Sequence, residues 1–262
     1  MKASARSRLA LEESSLRRKT SRSPFSYFLY GVTLRSHWKL PYSEIRGAAP
    51  PDIELVEAPA SFFEKAAGQA FSRPGEEDWF ERATLNDHST YLRWLGMYDF
   101  LVSADGRRIL SRTIPGVSYE SFLVYLLNGA LPFALLSLGI DPLHASVVSV
   151  ERKAIGFLGK SGYGKSTLAA AFLQAGYPVL TDDALVLKQV QGNWLAYPGP
   201  PRLKLHPESA AAVIRGRIAG VPLNPQSSKL VIPLGRRQSC QAASPIAALY
   251  VLNLPRAESR AP

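Results

Sequence analysis

The amino-acid sequence predicts an α/β protein in which a small strand-rich module precedes a three-layer domain. Three observations support this class. Up to residue 115, short apolar runs alternate with turns that contain Pro or Gly, which is typical of short strands. Beyond residue 141, two apolar strands, a glycine-rich loop and an Ala- and Leu-rich helix follow one another. No repeat with a period of about 20 to 50 residues is visible, which excludes solenoids and propellers.

The composition is that of a globular protein. The chain has 262 residues, of which 46% are hydrophobic and 20% are charged, and this excludes collagen-like, coiled-coil and wholly disordered proteins. A chain of this length can bury a core of its own, so folding requires no metal or disulfide. Cys240 is the single cysteine and cannot form a disulfide within the chain. We therefore expect a reducing, cytoplasmic location.

The net charge of +10 is concentrated near the N-terminus. Residues 1–22 contain seven Lys and Arg residues against Glu12 and Glu13, and so carry half of the positive excess. This segment lacks the apolar core of a secretory signal, and its composition predicts a disordered basic tail over residues 1–24. Because the rest of the chain is only mildly basic, we expect no nucleic-acid partner.

Residues 25–115 are predicted to form the strand-rich module. Short strands are expected at 25–30, 31–34 and 52–56, whereas the runs at 79–80, 91–95 and 98–102 give mixed signals and are separated by polar residues. The Tyr and Trp side chains in these runs can line a ligand face, but aromatic residues at this spacing more often form a core. We expect them to form the core of a module that ends near Pro115.

An uncharged stretch opens the second predicted domain, which covers residues 116–262. Residues 121–140 contain no charged side chain, and this length is sufficient to span a bilayer. Asn128, Gly129 and Pro132 interrupt the stretch, and a glycine-rich loop follows that belongs in an aqueous domain. We expect a buried helix or helix pair and no membrane span, with a single-pass span as the alternative.

The strongest motif lies between a predicted strand at 154–158 and a predicted helix at 166–175. Residues 159–166 match the pattern G-x-x-x-x-G-K-[ST] without a gap. Its glycines allow a tight turn whose backbone amides converge on an anion at the positive end of the helix. The pattern predicts a P-loop that binds the phosphates of ATP, and the alternative is a glycine-rich turn without a ligand. The expected nucleotide contacts are Gly159, Lys160, Ser161, Gly162, Tyr163, Gly164, Lys165, Ser166 and Thr167.

Within this loop, three side chains have separate expected roles. Lys165 would bridge the β- and γ-phosphates, and the Ser166 hydroxyl would coordinate Mg²⁺. Thr167 is a weaker candidate for contact with the α-phosphate.

An acidic pair follows the next predicted strand, at 177–180. Asp182 and Asp183 end this strand, where a neighbouring parallel strand would place a carboxylate near the metal and the γ-phosphate. Adjacent residues of a strand point to different sides, so the two carboxylates are expected to have different roles. One can hold Mg²⁺ through water while the other accepts the proton of an attacking hydroxyl. The alternative is an ordinary turn, since Asp favours turns.

His144 can be placed by counting across a predicted hairpin. If strands 144–150 and 154–158 pair antiparallel about a short turn, the numbers of opposite residues sum to about 303 to 305. His144 then lies opposite residues 159–161, at the mouth of the loop. Contact with the γ-phosphate and a structural role are both open.

Together these residues resemble the catalytic domain of the HPr kinase/phosphorylase family, in particular its shorter relatives found near peptide-modification gene clusters. The resemblance covers roughly residues 116–200 and is carried by 143–146, 159–166 and 180–183. It implies an ATP-dependent kinase that phosphorylates a serine hydroxyl, and it makes self-association plausible. By position, it implies His144 near the transferred phosphate, with Lys165 and Ser166 on ATP and Mg²⁺. It also implies Asp182 as general base, with Asp183 supporting the metal or the loop.

The sequence departs from that family at several points. Lys160 and Thr167 stand where well-studied members tend to have acidic residues, and a later glycine-rich signature with a metal-binding glutamate has no counterpart. The resemblance therefore does not extend to reversible dephosphorylation or to HPr as the acceptor.

Beyond the acidic pair, the pattern predicts a hairpin at 184–190 and 194–197 and a final strand at 247–254. Four cations after the hairpin can clamp a phosphate or an acidic substrate, although each more often is an exposed solubilising charge: Arg202, Lys204, Arg236 and Arg237. The sequence as a whole predicts an ATP-dependent kinase acting on a hydroxyl of a protein, peptide or small molecule. The alternative is a nucleotide-binding regulatory protein with little or no ATPase activity. A GTPase has no support, because no N-K-x-D motif is present.

Overall fold

The computed structural model describes residues 24–46, 50–70, 79–215, 219–224 and 227–253. The predicted basic tail lies outside the described residues, apart from Pro24. The residues in these ranges form a mixed α/β protein with three sheets and few helices. It divides into two compact units, the first reaching Ile140 and the second beginning at Asp141 and including residues 29–31.

The first unit is built on a seven-stranded sheet. Its strands are β1 (Phe25–Leu29), β2 (Val32–Ser36), β3 (Ile53–Glu57), β4 (Phe80–Thr84), β5 (Thr90–Trp94), β6 (Tyr98–Val102) and β7 (Arg108–Thr113). They lie in the order β1-β2-β3-β7-β6-β5-β4, in which β3 pairs parallel with β2 and β7 while β4 to β7 form an antiparallel meander. The sequence predicted β1, β2 and β3, and the runs at 79–80, 91–95 and 98–102, which gave mixed signals, overlap β4, β5 and β6. Strand β7 was not predicted, because arginines and a serine interrupt its apolar run.

Helices cover the two faces of this sheet. Helix α1 (Ala60–Ala70), which the sequence did not predict, packs Phe63 against Tyr91 and Leu101 on one face. The other face receives α2 (Tyr119–Tyr125), a π-helical turn (Leu126–Ala130) and α3 (Leu131–Ser137). Successive strand residues point to opposite faces. Tyr91 therefore packs on the face that α1 covers, and Trp94 packs on the face that α2 covers.

Residues 116–140 belong to the first unit, whereas the sequence assigned them to the second domain. The Phe122 ring stacks on Phe100 with centroids 5.9 Å apart, and the Tyr125 ring lies 4.9 Å from Trp94. At Gly129 the helical backbone passes so close to Trp94 that an added Cβ would lie 2.9 Å from the indole. The aromatic residues of the sheet therefore bind the uncharged stretch, and the boundary lies at 140/141 instead of 115/116.

The same stretch is the one helix among the described residues that is long and apolar enough to cross a membrane. It spans Tyr119–Ser137, and 61% of its most apolar window is buried inside the protein. This burial agrees with the buried helix that the sequence predicted.

Replacing Phe122 with alanine is expected to lower the free energy of unfolding by about 3–5 kcal/mol, because the ring is buried among other aromatic rings. The matched control is Leu136→Ala in α3, whose side chain is 51% exposed and which should cost less than about 1 kcal/mol. Urea unfolding followed by tryptophan fluorescence measures both. Equal effects of the two substitutions would contradict the packing of this stretch on the sheet.

The second unit contains a six-stranded and a three-stranded sheet. The larger has the order β10-β8-β9-β16-β12-β11 and consists of β8 (Ala145–Val150), β9 (Lys153–Leu158), β10 (Val179–Thr181), β11 (Val186–Val190), β12 (Asn193–Tyr197) and β16 (Ser244–Val251). The smaller has the order β13-β15-β14 and consists of β13 (Arg202–Leu205), β14 (Val221–Asn224) and β15 (Ser227–Pro233). The described part of the unit also contains two helices: α4 (Lys165–Gln174) and α5 (Pro207–Val213).

The hairpin of β8 and β9 has the predicted register. Ala145 pairs with Leu158 and Val150 with Lys153, so the numbers of opposite residues sum to 303. The β11–β12 hairpin also forms as predicted. Strand β16 begins three residues before the predicted final strand at 247–254 and ends at Val251, and residue 254 lies outside the described residues.

Strand β10 occupies a different place from the one expected. The sequence predicted it as the parallel neighbour of β9, but it pairs antiparallel with β8 on the far side of that strand. Because β8 runs opposite to both, β9 and β10 still point the same way. The segments that follow β9 and β10 and the segment that precedes β8 therefore meet at one edge of the sheet.

The described helices of this unit share one core. Ala169 of α4 and Ala210 of α5 pack with Phe157 of β9 and with Leu203 and Leu205 of β13. The core on the other face of the six-stranded sheet, around Ala145, Val147 and Leu185, contains no helical residue among those described. The described part of the unit thus has helices on one face, not the three layers that the sequence predicted.

Candidate functional site

The glycine loop, residues 159–164, connects β9 to α4. Gly159 has a φ of +144°, and an added Cβ there would lie 2.8 Å from the Leu252 carbonyl oxygen. Gly164 precedes α4 with a φ of +85° and makes no side-chain cap. Glycine is the residue that adopts such angles without strain. The first N–H groups of α4 are therefore uncapped by this residue, and the positive end of the helix can bind an anion.

Lys165 folds back over the loop. Its Nζ donates hydrogen bonds to the carbonyl oxygens of Gly159 and Lys160, at 2.7 and 2.9 Å. The residue is 6% exposed. Burial lowers the pKa of the Lys165 amine, an effect that the nearby Asp182 and Asp183 oppose. The partners of the Lys165 ammonium in this structure are backbone carbonyls, and its contact with the β- and γ-phosphates stays a prediction.

Asp182 is buried beneath the start of α4. Its Oδ1 accepts hydrogen bonds from the Ser146 and Ser166 hydroxyls at 2.6 and 2.9 Å, and its Oδ2 accepts one from the Lys204 backbone N–H at 3.0 Å. Burial, followed by the charge of Asp183, raises the pKa of this carboxyl in spite of these donors. The carboxylate is thus fixed against Ser166, the side chain predicted to coordinate Mg²⁺.

Asp183 faces the other way. Its carboxylate forms an ion pair with Lys204 and is 20% exposed, and its φ is +76°. Burial would raise the pKa of this carboxyl, but the Lys204 ammonium, together with the charges of Arg202 and His144, outweighs burial and the pKa lies below its usual value. His144 Nδ1 lies 3.1 Å from the Asp183 carbonyl oxygen. A non-glycine residue at positive φ is rare and often marks a functional turn.

These groups open into a cavity of about 280 Å³ at the edge of the sheet. The cavity wall includes eight of the residues that the sequence predicted for the site: His144, Ser161, Gly162, Gly164, Lys165, Ser166, Thr167 and Asp183. Gly159, Lys160, Tyr163 and Asp182 do not line it, although each belongs to the loop or lies directly behind Ser166.

The opposite wall comes from β13, α5 and β15. It consists of Lys204, Leu205, His206, Ser209 and Lys229, of which the sequence singled out only Lys204. The signal for this wall is the alternation in β13, where Leu203 and Leu205 enter the apolar core and Lys204 points to the cavity. Of the other three predicted cations, Arg202 is buried beside Asp183, and Arg236 and Arg237 are exposed and do not line the cavity.

The donor atoms of the site fit Mg²⁺. The Ser166 hydroxyl and the carboxylates of Asp182 and Asp183 are oxygen donors, which Mg²⁺ prefers, and this ion usually completes its shell with substrate phosphates and water. Among the described residues, no group of three or more His, Cys, Asp or Glu side chains is arranged to hold a metal. A metal in this site would therefore share its coordination with a bound phosphate.

Replacing Lys204 with methionine is expected to destabilise the second unit by about 2–4 kcal/mol at pH 7, because Asp183 loses its counter-ion while mostly buried. The ion pair lowers the pKa of Asp183, so its contribution is complete above the ordinary value of about 3.9 and is lost as the pH falls through the lower folded value. Chemical unfolding of the variant and the wild type at a series of pH values, from pH 7 to below the ordinary pKa of an aspartate, measures the difference in the free energy of unfolding. The exposed Lys153→Met is the control and should stay within about 0.5 kcal/mol at each pH. If the destabilisation caused by Lys204→Met increased as the pH fell, the stabilising role of the ion pair between Lys204 and Asp183 would be contradicted.

Comparison with known proteins gives a limited result. No protein-family model matches the chain, and no curated protein matches its sequence. Among solved structures, the HPr(Ser) kinase/phosphatase from Coxiella burnetii is a distant match, with a TM-score of 0.31 and 18% sequence identity. The overlap covers 45% of this chain and 68% of that protein. The two chains thus share a weak structural similarity.

Proposed function

We propose that the second unit is a P-loop nucleotide-binding domain that transfers the γ-phosphoryl group of ATP to a hydroxyl of a peptide, protein or small molecule, with serine as the first candidate. One observation carries this proposal. The uncapped N-terminus of α4, the Lys165 ammonium and the Asp183 carboxylate meet at a single cavity, and the Asp182 carboxylate lies directly behind Ser166 in its wall. Cytoplasmic location and self-association remain predictions of the sequence.

The electrostatics of the cavity favour a polyanion. Three lysines, Lys165, Lys204 and Lys229, line it against one carboxylate, Asp183, which leaves an excess of two positive charges. The helix dipole of α4 adds to this field. A triphosphate carries the opposite charge and the acceptor oxygens that backbone amides and ammonium groups require.

We further propose that the two carboxylates have roles opposite to those implied by the family resemblance. Asp182 has three hydrogen-bond donors, is buried and does not line the cavity, so it is suited to fixing Ser166 and the metal. Asp183 lines the cavity, where an acceptor hydroxyl can approach it. A general base must reach the proton that it removes, and Asp183 meets this requirement once Lys204 turns towards the triphosphate.

The reaction then balances as an in-line displacement. The acceptor oxygen forms a bond to the γ-phosphorus, and the bond between that phosphorus and the β–γ bridging oxygen breaks. The electron pair of the broken bond leaves with ADP, and the hydroxyl proton passes to Asp183. Mg²⁺, when bound, neutralises charge on the phosphate oxygens. His144 contacts the Asp183 backbone and holds that turn at the mouth of the loop.

A second candidate function is a regulatory protein that binds the nucleotide without transferring phosphate. The ion pair between Lys204 and Asp183 favours it, because a base occupied by a lysine is not available to an acceptor. The two functions differ in whether binding of the nucleotide separates Lys204 from Asp183.

The test uses the purified chain with Mg²⁺, γ-labelled ATP and a panel of serine peptides and small hydroxyl compounds. Label on an acceptor is expected. The control is α-labelled ATP, which should label nothing if phosphoryl and not adenylyl groups are transferred. Binding of ATP without label on any acceptor would favour the regulatory protein, and a chain that binds no ATP would contradict both functions.

A further inference from the structure

The three-stranded sheet presents a cationic face to the cavity. In the β13–β15 ladder, Lys204 pairs with Val231 and Leu205 with Leu230, which places His206 opposite Lys229. Opposite residues of an antiparallel pair project from the same face, and their neighbours project from the other. Leu205 and Leu230 accordingly enter the apolar core. His206 and Lys229 line the cavity together with Lys204.

The three cavity-lining lysines differ in their partners. Lys165 donates to two loop carbonyls, and Lys204 pairs with Asp183. The Lys229 side chain has no ion pair and no hydrogen bond with the part of the chain that the structure describes, while its backbone N–H donates to Ser227 Oγ. Lys229 is half-buried, and its ammonium lines the cavity without a compensating group among the described residues.

Lys229 and Lys165 are close enough to repel each other. Burial is the main cause of the lowered pKa of Lys165, and the charges of Asp182 and Asp183 oppose it. The charge of Lys229 lowers this pKa further. Two ammonium groups that share a cavity of about 280 Å³ are both stabilised by an anion between them. Lys165 is the first residue of α4, directly after the glycine loop, and Lys229 lies on β15 in the wall formed by β13, α5 and β15. An anion that contacts both extends from the loop across the cavity.

We propose that Lys229 binds the terminal phosphate of ATP from the side opposite Lys165, so that this residue distinguishes ATP from ADP. This inference rests on the proposed function, in which the loop and Lys165 hold the β- and γ-phosphates. The γ-phosphate is the group that reaches beyond the loop towards β15. A second cation there also opposes the charge on the phosphoryl group during transfer.

The experiment compares affinities for ADP and for the non-hydrolysable β,γ-imido analogue of ATP, both with Mg²⁺, by calorimetry. Lys229→Met is expected to weaken binding of the ATP analogue about tenfold, as for loss of one charge-assisted hydrogen bond, and to change ADP binding by less than about twofold. Lys229→Arg should retain most of the affinity for the analogue. Lys153→Met, at an exposed position of β9, is the charge-matched control and should bind both nucleotides like the wild type.

Equal losses for the two nucleotides, or no loss for either, would overturn the role of Lys229 while leaving the proposed function intact. Failure of Lys229→Arg to restore discrimination would also overturn it, provided that thermal unfolding shows the variant to be folded. If the wild-type chain binds neither nucleotide, the proposed function falls as well.

Discussion

Replacement of Lys165 with alanine should lower the affinity for ATP by at least about 100-fold, as expected when a buried cation that bridges two phosphates is removed. The residue is 6% exposed and lies at the start of α4, directly after the glycine loop. Calorimetric titration with ATP and Mg²⁺ measures the effect. Lys153→Ala removes the same charge at an exposed position of the same unit and should leave the affinity unchanged.

A small effect of Lys165→Ala would be informative. In the present structure the Lys165 ammonium is bound by the carbonyls of Gly159 and Lys160. An affinity within about threefold of wild type corresponds to a loss of binding free energy of less than about 1 kcal/mol. It would mean that these carbonyls still bind the ammonium when the nucleotide is bound. The loop would then not function as a phosphate site.

Asp183→Asn is expected to reduce phosphoryl transfer by about 100- to 10,000-fold, the range for loss of a general base, while leaving the affinity for ATP nearly unchanged. Asparagine tolerates the left-handed backbone conformation that Asp183 adopts, so the substitution removes the charge without disturbing the turn. Transfer of γ-label to the best acceptor, together with a separate ATP titration, measures both quantities.

Asp182→Asn is the matched comparison, because it makes the same change at the adjacent residue. Asp182 contacts Ser166, so we expect weaker Mg²⁺-dependent ATP binding that recovers in part at higher Mg²⁺ concentration. The opposite outcome is equally clear. If Asp182→Asn binds ATP normally without transfer while Asp183→Asn still transfers, Asp182 is the base, as the family resemblance implied.

Local patterns in the sequence were sufficient to predict the strand, loop and helix that form the glycine-loop side of the site. The match at residues 159–166, a strand before it and a helix after it fix a strand–loop–helix unit from contiguous residues alone. The position of His144 followed from counting across a hairpin with a short turn, and the observed sum of 303 lies at the lower end of the predicted range. Both inferences depend on short-range geometry, which the order of residues specifies directly.

The opposite wall depends on long-range pairing, which one sequence does not specify. Lys229 faces the cavity because β15 pairs with β13 in one register, and a shift by one residue would turn it into the apolar core. The place of β10 beside β8 is likewise a choice among topologies. Residues 116–140 were assigned to the wrong unit for the same reason, since their aromatic partners Trp94 and Phe100 lie in distant strands.

Lys204 contacts both Asp182 and Asp183, one with its backbone and the other with its side chain. Its backbone N–H donates to Asp182, and its ammonium pairs with Asp183. A displacement of β13 would therefore move the supports of both carboxylates, and with them the proposed metal coordination and the proposed proton removal, simultaneously. Mutations on the three-stranded sheet, even far from the loop, should alter these two steps in a correlated manner, and selection acting on either step would constrain the other.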